Sequence, residues 1–102
     1  MRKFLLLTGI ICASVFIQAQ DLAELRETAR VFTRDGDYSN AILVLNRARQ
    51  MQPDNLGVLQ DLAFNYFLLN DLKNAVDIVR PLVDRKDAEV QTFQVAGSIW
   101  KA

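Results

Sequence analysis

The chain has 102 residues, 51% of them hydrophobic, with 12 basic residues balanced by 12 acidic ones and no histidine. This length supports one small domain with a modest core. The balanced charge, without a run of like charges, argues against nucleic acid as a partner. Imidazole acid–base catalysis is excluded, and Cys12 is the sole residue available for thiol chemistry.

The N-terminal segment, residues 1–19, is predicted to be a secretory signal peptide. Two basic residues precede an apolar stretch over residues 4–17, and Ala19 supplies the small residue expected before a cleavage site. The stretch is shorter than the roughly 20 residues that a membrane-spanning helix needs. We therefore predict cleavage after Ala19 and an exported domain, periplasmic or secreted, that begins at Gln20.

Two alternatives for this segment are less favoured. It could remain as an uncleaved membrane anchor, but Gln18 and Gln20 end the apolar stretch early for a span. Lipoprotein processing would need Cys12 as its acceptor, and that residue lies in the middle of the apolar stretch, outside the usual context of leucine and small residues. Cleavage removes this cysteine, so the exported domain would have no disulfide and would depend on packing alone.

Apolar residues recur at helical spacing from Leu22 onward, and no segment alternates as a β-strand does. The interruptions fall at residues 35–37, 52–54, 70–71 and 85–87, where turn-forming residues stand beside an aspartate that can cap the next helix. The expected capping residues are Asp37, Asp54, Asp71 and Asp87. Their spacing of about 17 residues is typical of units built from two short helices.

The chain also resembles itself at an offset of 34 residues. The coinciding pairs are Leu25 and Leu59, Ala29 and Ala63, Phe32 and Tyr66, Gly36 and Asn70, Ala41 and Ala75, and Leu45 and Val79. Such a period indicates stacked supersecondary units that share a continuous core. We predict an all-α, helix–turn–helix solenoid of about two and a half 34-residue repeats, at about residues 22–55, 56–89 and, in part, 90–102.

The residue types at these positions resemble the tetratricopeptide repeat. The first unit carries most of the family pattern, with Thr28 as its one departure. The matching residues are Leu25, Ala29, Phe32, Gly36, Tyr38, Ala41, Leu45, Ala48 and Pro53. The second unit matches less closely, with Leu82 in place of an alanine and Asp87 in place of the proline. The resemblance implies a repeat domain over residues 20–102 that binds a protein or peptide, without catalysis and without a cofactor.

Two local features carry specific expectations. Pro81 would remove a backbone hydrogen bond from the second helix of the second unit, so we expect a kink there or a helix end near Arg80. Phe32, Tyr66 and Trp100 recur at the repeat period and are expected to pack in the core.

In this family the ligand lies on a concave surface lined by the first helix of each unit, which implies a set of groove residues here. They are Arg26, Arg30 and Arg34 in the first unit, Gln60, Phe64 and Phe67 in the second, and Gln91, Gln94, Ser98 and Lys101 in the third. The arginines share one helix face and can bind carboxylates, while the phenylalanines supply apolar anchors. An acidic or C-terminal peptide segment is the predicted partner. The alternative is that the arginines form an ordinary solvated face, paired with neighbours such as Glu27.

The C-terminal helix is expected to leave apolar surface uncovered at Val95, Ile99 and Trp100. Stacks generally need three or more repeats, so a fragment of a longer protein is favoured, with burial of this end against a second copy or a partner as the alternative. The predicted function is an exported scaffold or adaptor in the cell envelope, with membrane contact through the leader only. The other candidates are an accessory N-terminal region of a larger envelope protein or enzyme, and a membrane-anchored subunit with an uncleaved leader.

Overall fold

The computed structural model describes residues 20–102, and the predicted signal peptide, with Cys12, lies outside the described residues. The described residues form five helices and no strand. The described part of α1 covers residues 20–34, and it is followed by α2 (Tyr38–Met51), α3 (Leu56–Leu68), α4 (Leu72–Leu82) and α5 (Val90–Lys101). None of these helices is long and apolar enough to cross a membrane. The predicted all-α fold is confirmed.

The helices pack in the order of a helical-repeat solenoid. From α2 onward each helix contacts the next one along the chain, and α3 also contacts α5, two helices further on. The first helix, α1, packs with α2 and α3 in a shared apolar cluster. The first unit is therefore α1 with α2, the second is α3 with α4, and α5 is the first helix of a third unit.

Two apolar clusters form the core, and α3 contributes to both. The first cluster contains Leu22, Ala29, Ala41, Ile42, Leu45, Ala48, Val58 and Leu62. The second contains Leu59, Ala63, Ala75, Val79, Leu82, Val95, Ala96 and Ile99. Val58 and Leu62 face the first cluster, and the residue after each of them faces the second. This helix therefore joins the two units into one continuous core.

The turn inside each unit is built on one residue with positive φ. These residues are Gly36 (φ 79°) and Asn70 (φ 66°), 34 positions apart. In the first turn the N–H of Asp37 donates to the carbonyl of Phe32 at 2.8 Å, and the second turn repeats this bond. The pattern is the Schellman closure of a helix, which requires a left-handed residue that glycine adopts without strain and asparagine tolerates.

Two of the predicted N-caps are confirmed, and a third lies one residue later than expected. Asp37 and Asp71 each accept a hydrogen bond from the backbone N–H three residues further on, at 3.3 Å. The predicted cap at Asp54 is wrong, because the next residue, Asn55, accepts from the N–H of Val58 at 3.1 Å and begins α3. Both residue types can cap a helix, and the backbone turn that closes at Asn55 decides which one does.

The predicted cap at Asp87 is also wrong. Its carboxylate accepts two hydrogen bonds from Arg85, at 2.9 and 2.7 Å, within the connection between α4 and α5. The N-cap of α5 is Glu89, whose backbone N–H donates to the hydroxyl of Thr92 at 3.1 Å. The strong local ion pair competes for the side chain that the prediction assigned to the helix end.

The helix that contains Pro81 ends at Leu82, one residue after the proline and two residues after Arg80, near which an end was predicted. Proline lacks the N–H that would donate one turn back, but it sits in the final turn of α4. The loss of one bond at that place does not stop the helix before the proline.

The aromatic series at the repeat period is divided. Phe32 and Tyr66 pack against the core as expected, but Trp100 is 54% exposed and is not a core residue of the described chain. Conversely Val95 and Ile99, predicted to be uncovered, are buried in the second cluster because they face α3 and α4. The face of α5 that carries Trp100 has no neighbouring helix within residues 20–102.

Candidate interaction groove

The side chain of Arg26 crosses from α1 to α3. Its guanidinium lies over Gly57, where a Cβ atom would come within 2.6 Å of it. Its Nε and Nη2 atoms each lie 3.2 Å from Oδ2 of Asp61. The side chains of Arg26 and Asp61 are 28% and 17% exposed, so most of this ion pair is removed from solvent. The glycine permits the close approach, and the pair links the first unit to the second.

Two further polar contacts connect the first helices of the units. Gln60 on α3 is buried, and its amide donates a hydrogen bond to the hydroxyl of Thr92 on α5. Asn65 on α3 places its Oδ1 atom 2.8 Å from the hydroxyl of Thr33 on α1, and its Nδ2 donates to the carbonyl of Asp61 at 2.9 Å. Every buried polar side-chain atom of the described residues has a hydrogen-bond partner, as a stable interior requires.

A groove runs across α1, α3 and α5 beside these contacts. It consists of two adjoining cavities, of about 330 and 210 Å³, which share Asp61, Phe64 and Gln91. The first cavity is also lined by Ala29, Arg30, Thr33, Arg34, Leu45 and Asn65, and the second by Gln94, Val95 and Ser98. The groove therefore has a cationic end at α1, an aromatic centre at α3 and an amide-rich end at α5.

Charge in the groove is set by the arginines at the α1 end and by Asp61. Arg30 and Arg34 are exposed, and the pair of Arg30 with Glu27 at 3.4 Å is exposed on both sides, where such pairs contribute little. Burial raises the pKa of Asp61, although the charge of Arg26 and its hydrogen bond act in the opposite direction. No three His, Cys, Asp or Glu side chains of residues 20–102 are grouped as a metal site would need.

Six of the ten residues predicted for the concave surface line the groove. They are Arg30, Arg34, Phe64, Gln91, Gln94 and Ser98. Arg26 lies beside the groove and is bound to Asp61. Phe67 is half-buried against the second cluster, with its ring 6.4 Å from that of Phe64. Lys101 is exposed at the end of α5, outside both cavities.

The predicted exposure of Gln60 is wrong, since this side chain is only 2% exposed. Arg26, Gln60 and Gln94 occupy the same position in successive units, and the first two each contact the first helix of the following unit. Gln94 has no following unit within the described residues, so it is exposed. The alternative that the arginines pair along their own helix is correct for Arg30, which contacts Glu27.

The prediction omitted three polar groove residues, Thr33, Asp61 and Asn65. A signal for the last two is present in the sequence, because they lie four residues apart, and so on one face, in a mostly apolar helix. Polar side chains in such a helix need hydrogen-bonding partners on a neighbouring element. Thr33 has no comparable signal, since threonine is ordinary in a polar helix.

Stacked helix pairs with a groove along their first helices define a helical-repeat protein. A family model described as tetratricopeptide repeat matches residues 32–96, more than half of the chain. The chain belongs to the tetratricopeptide repeat family. No curated protein and no solved structure shows a significant match. Repeats of this family generally mediate protein–protein interactions and act as non-catalytic scaffolds, which indicates an interaction module.

Proposed function

We propose that this protein is an exported interaction module of the cell envelope and that it binds an acidic or C-terminal peptide segment in the groove across α1, α3 and α5. The observation that carries the proposal is the order of side chains along the groove, from two exposed arginines through an aromatic ring to two glutamines. Membership of the family supports a protein partner. The basic and apolar N-terminal sequence supports export.

Each part of the groove fits a different part of a peptide. Arg30 and Arg34 lie one helical turn apart on α1, so both guanidinium groups can bind a carboxylate through paired hydrogen bonds. Phe64 is 36% exposed and can bury an apolar side chain of the ligand. Gln91 and Gln94 each offer a donor and an acceptor, which match the N–H and C=O groups of an extended backbone.

The charge of Asp61 favours one direction for the bound peptide. Its carboxylate lines both cavities and is bound on one side by Arg26. A ligand carboxylate beside Asp61 would be repelled by a like charge, whereas one beside Arg34 would be attracted by the guanidinium group. The acidic group of the peptide therefore lies at the α1 end, with its apolar side chain on Phe64.

The proposal is tested by peptide binding with matched charge variants. Fluorescein-labelled peptides that carry phenylalanine and a C-terminal aspartate are titrated with the protein, and fluorescence anisotropy gives the dissociation constant. Arg30→Glu combined with Arg34→Glu is expected to weaken binding about tenfold or more, because carboxylate then faces carboxylate. The control is Arg47→Glu combined with Arg49→Glu, which makes the same change of charge at exposed positions of α2 outside the groove.

The result that supports the proposal is a loss confined to the groove variant, with circular dichroism showing equal helix content. An equal loss in both variants would mean that general charge attraction, and not the groove, holds the peptide. Failure of the unmodified protein to prefer acidic over amidated peptides would also contradict the proposed ligand.

Export has a separate measurement. The chain is expressed with its leader in a bacterium, the cells are fractionated, and the N-terminal residue is identified by mass spectrometry. The expected result is a chain that begins at Gln20 in the periplasm or medium. A chain that keeps Met1 in the membrane fraction would support the anchored subunit and contradict the cleaved, exported form.

The proposed function includes a second interaction surface, on the outer face of α5. Val90, Phe93 and Trp100 are large apolar residues that remain exposed on this helix. A contiguous exposed apolar face on a small domain is typical of a protein contact. We propose that another protein surface covers it, independently of the peptide in the groove.

A further inference from the structure

The exposed apolar face of α5 has a regular spacing. Val90, Phe93 and Trp100 are 74%, 55% and 54% exposed, and Gly97 lies on the same face between the two aromatic residues. The intervals from Val90 through Phe93 and Gly97 to Trp100 are three, four and three residues, which is the spacing of the residues that meet in a helix pair. No atom lies within 4 Å of a Cβ atom placed on Gly97, so the face is open above this residue.

The repeat indicates what covers the same face in the complete units. The residues 34 positions before Val90, Phe93, Gly97 and Trp100 are Leu56, Leu59, Ala63 and Tyr66, and those 68 positions before are Leu22, Leu25, Ala29 and Phe32. These residues pack in the two core clusters with side chains of the second helix of their own unit. The face on α5 therefore has the register that receives one more helix, and residues 20–102 supply none.

The opposite end of the stack is more polar than the α5 end. Val58 and Leu62 of α3 are fully buried in the cluster that joins the second unit to the first. The residues that correspond to them in α1 are Glu24 and Thr28, and both are exposed. Val31 on the same face of α1 is 43% exposed, but its neighbours there are polar, so the α1 end offers less apolar surface than the α5 end for another copy to stack on. Of the contacts between two copies, the one between two identical α5 faces is favoured, as in a two-fold dimer.

We infer that the α5 face binds the α5 face of a second copy of this chain, as an antiparallel helix pair. Along the helix axis, the centre of the pair is at the level of residue 95. This inference rests on the proposed function, since it names the partner for the second surface. In this register Phe93 lies over Gly97 of the second copy, and Trp100 lies over Val90 of the second copy. Each large ring meets a smaller residue, and the missing side chain of Gly97 makes room for the phenyl group.

The charges at the ends of α5 favour the antiparallel orientation. Glu89 precedes the helix and Lys101 is its last residue, and both are exposed. An antiparallel pair places one glutamate and one lysine at each end of the interface, whereas a parallel pair would place two like charges and two like helix termini together. One face of a 12-residue helix is a small interface, so we expect dissociation in the micromolar range.

Sedimentation velocity on the chain, expressed with its leader and purified in the form that accumulates, tests the dimer. The unmodified protein is expected to change from monomer to dimer with rising concentration. Phe93→Glu is expected to weaken the dimer at least about 30-fold, because it places a charge in the contact. The control is Leu43→Glu, which makes the same change at a leucine that is 62% exposed on α2. A protein that stays monomeric, or a dimer that Phe93→Glu leaves intact, would overturn the inference.

Cysteine cross-linking tests the orientation in the background of Cys12→Ser. An antiparallel pair brings position 90 of one copy to position 100 of the other, so Val90→Cys combined with Trp100→Cys is expected to form intermolecular disulfides under oxidation. Either cysteine alone is expected to give none, since its counterpart lies about 15 Å away along the helix pair. Disulfides from the single variants would indicate a parallel pair and overturn the proposed register.

The peptide titration separates this inference from the groove proposal. Phe93→Glu is expected to bind the acidic peptide as the unmodified protein does, and Arg30→Glu combined with Arg34→Glu is expected to keep the dimer. If the peptide binds while the chain stays monomeric, the groove proposal stands and the second copy is rejected. The second copy would likewise be rejected if the chain alone stays monomeric and a helix of a different protein protects the backbone amide of Phe93 from hydrogen exchange.

Discussion

The turn inside the first unit and the turn inside the second are the same structure, whereas the connections that follow the two units differ. In the turns, Asp37 and Asp71 each donate their N–H to a carbonyl five residues earlier at 2.8 Å. Each also accepts an N–H three residues later at 3.3 Å and a side-chain amide at 2.7 Å. Two different sequences, with Gly36 in one turn and Asn70 in the other, give one set of bonds.

The connections between units have no such agreement. The first covers residues 52–55 and ends in the cap at Asn55, while the second covers residues 83–89, contains the Arg85–Asp87 pair and ends at Glu89. A turn that reverses the chain in three residues has few solutions, so the repeat keeps the one that works. A longer connection can follow several backbone paths. The packing of α3 and α5 fixes where the connection ends, but it does not fix the path in between.

The largest expected effect tests whether the two units have equivalent positions in the core. Leu45 of α2 and Val79 of α4 are 34 residues apart and both fully buried. Leu45→Ala is expected to lower the free energy of unfolding by about 2–5 kcal/mol, and Val79→Ala by less because fewer carbon atoms are removed. Urea denaturation followed by circular dichroism measures both. Leu43→Ala, at an exposed position of α2, is the control, and a loss at Leu45 no larger than this control would show that the first unit is not packed as described.

An intermediate effect tests the equivalence of the two turns. Gly36→Asn and Asn70→Gly exchange the residues between them, and each is expected to change the free energy of unfolding by less than about 0.5 kcal/mol, since both residue types adopt positive φ. Gly36→Val is expected to cost about 1–2 kcal/mol, because a β-branched side chain is strained there. Thermal unfolding gives the comparison. If Gly36→Asn lowers the free energy of unfolding as much as Gly36→Val does, the first turn needs glycine itself and the two turns are not equivalent.

A smaller effect tests the connection before α3. Asn55→Ala removes the observed cap and is expected to cost about 1 kcal/mol, whereas Asp54→Ala is expected to change the free energy of unfolding by less than about 0.5 kcal/mol. The two residues are adjacent and both follow Pro53, so the pair is a matched control. Equal losses in urea denaturation would contradict the assignment of Asn55 as the cap.

The features that the sequence predicts well are those that recur. The 34-residue offset identifies the helix pairs, the turns at Gly36 and Asn70 and the caps at Asp37 and Asp71, because each depends on residues close by in the chain. The cap at Asn55 escapes prediction because its neighbour Asp54 has the same capping ability and the backbone of the connection decides between them. The cap at Glu89 escapes prediction because Asp87, the residue type that caps more often, is bound by Arg85.

The groove is predicted in outline only, and the errors at Arg26 and Gln60 have one cause. Periodicity tells which side of α1, α3 or α5 faces away from the second helices, but a side chain on that side can still reach the first helix of the next unit. Gln60 is buried in this way by Thr92, and Arg26 is held by Asp61. Such contacts join residues more than 30 positions apart, and only the three-dimensional stack brings them together.

The smallest expected effect concerns the pH dependence of stability at two aspartates. Asp61 lies where the two units meet, and Asp87 lies in the connection after the second unit. Burial raises the pKa of Asp61 above 3.8, with Arg26 and Arg30 opposing. The folded chain therefore binds this proton more readily than the unfolded chain, and the contribution of Asp61 to stability increases as the pH falls through the raised pKa. Asp61→Asn imitates the protonated form, so the stability of this variant relative to the unmodified protein is highest at neutral pH and decreases on acidification.

Asp87 is the control, because its pKa is shifted in the opposite direction to that of Asp61. A hydrogen bond from Arg85 lowers the pKa of Asp87 below 3.8, so its contribution is present at higher pH and is lost as the pH falls through the lowered pKa. Asp87→Asn is therefore expected to be slightly less stable than the unmodified protein at neutral pH, with a difference that vanishes in acid. Urea denaturation of the three proteins from pH 7 to pH 3 measures both trends. Parallel trends for the two variants would mean that Asp61 is not held in the interior by the stack, because burial is what separates it from the exposed aspartate.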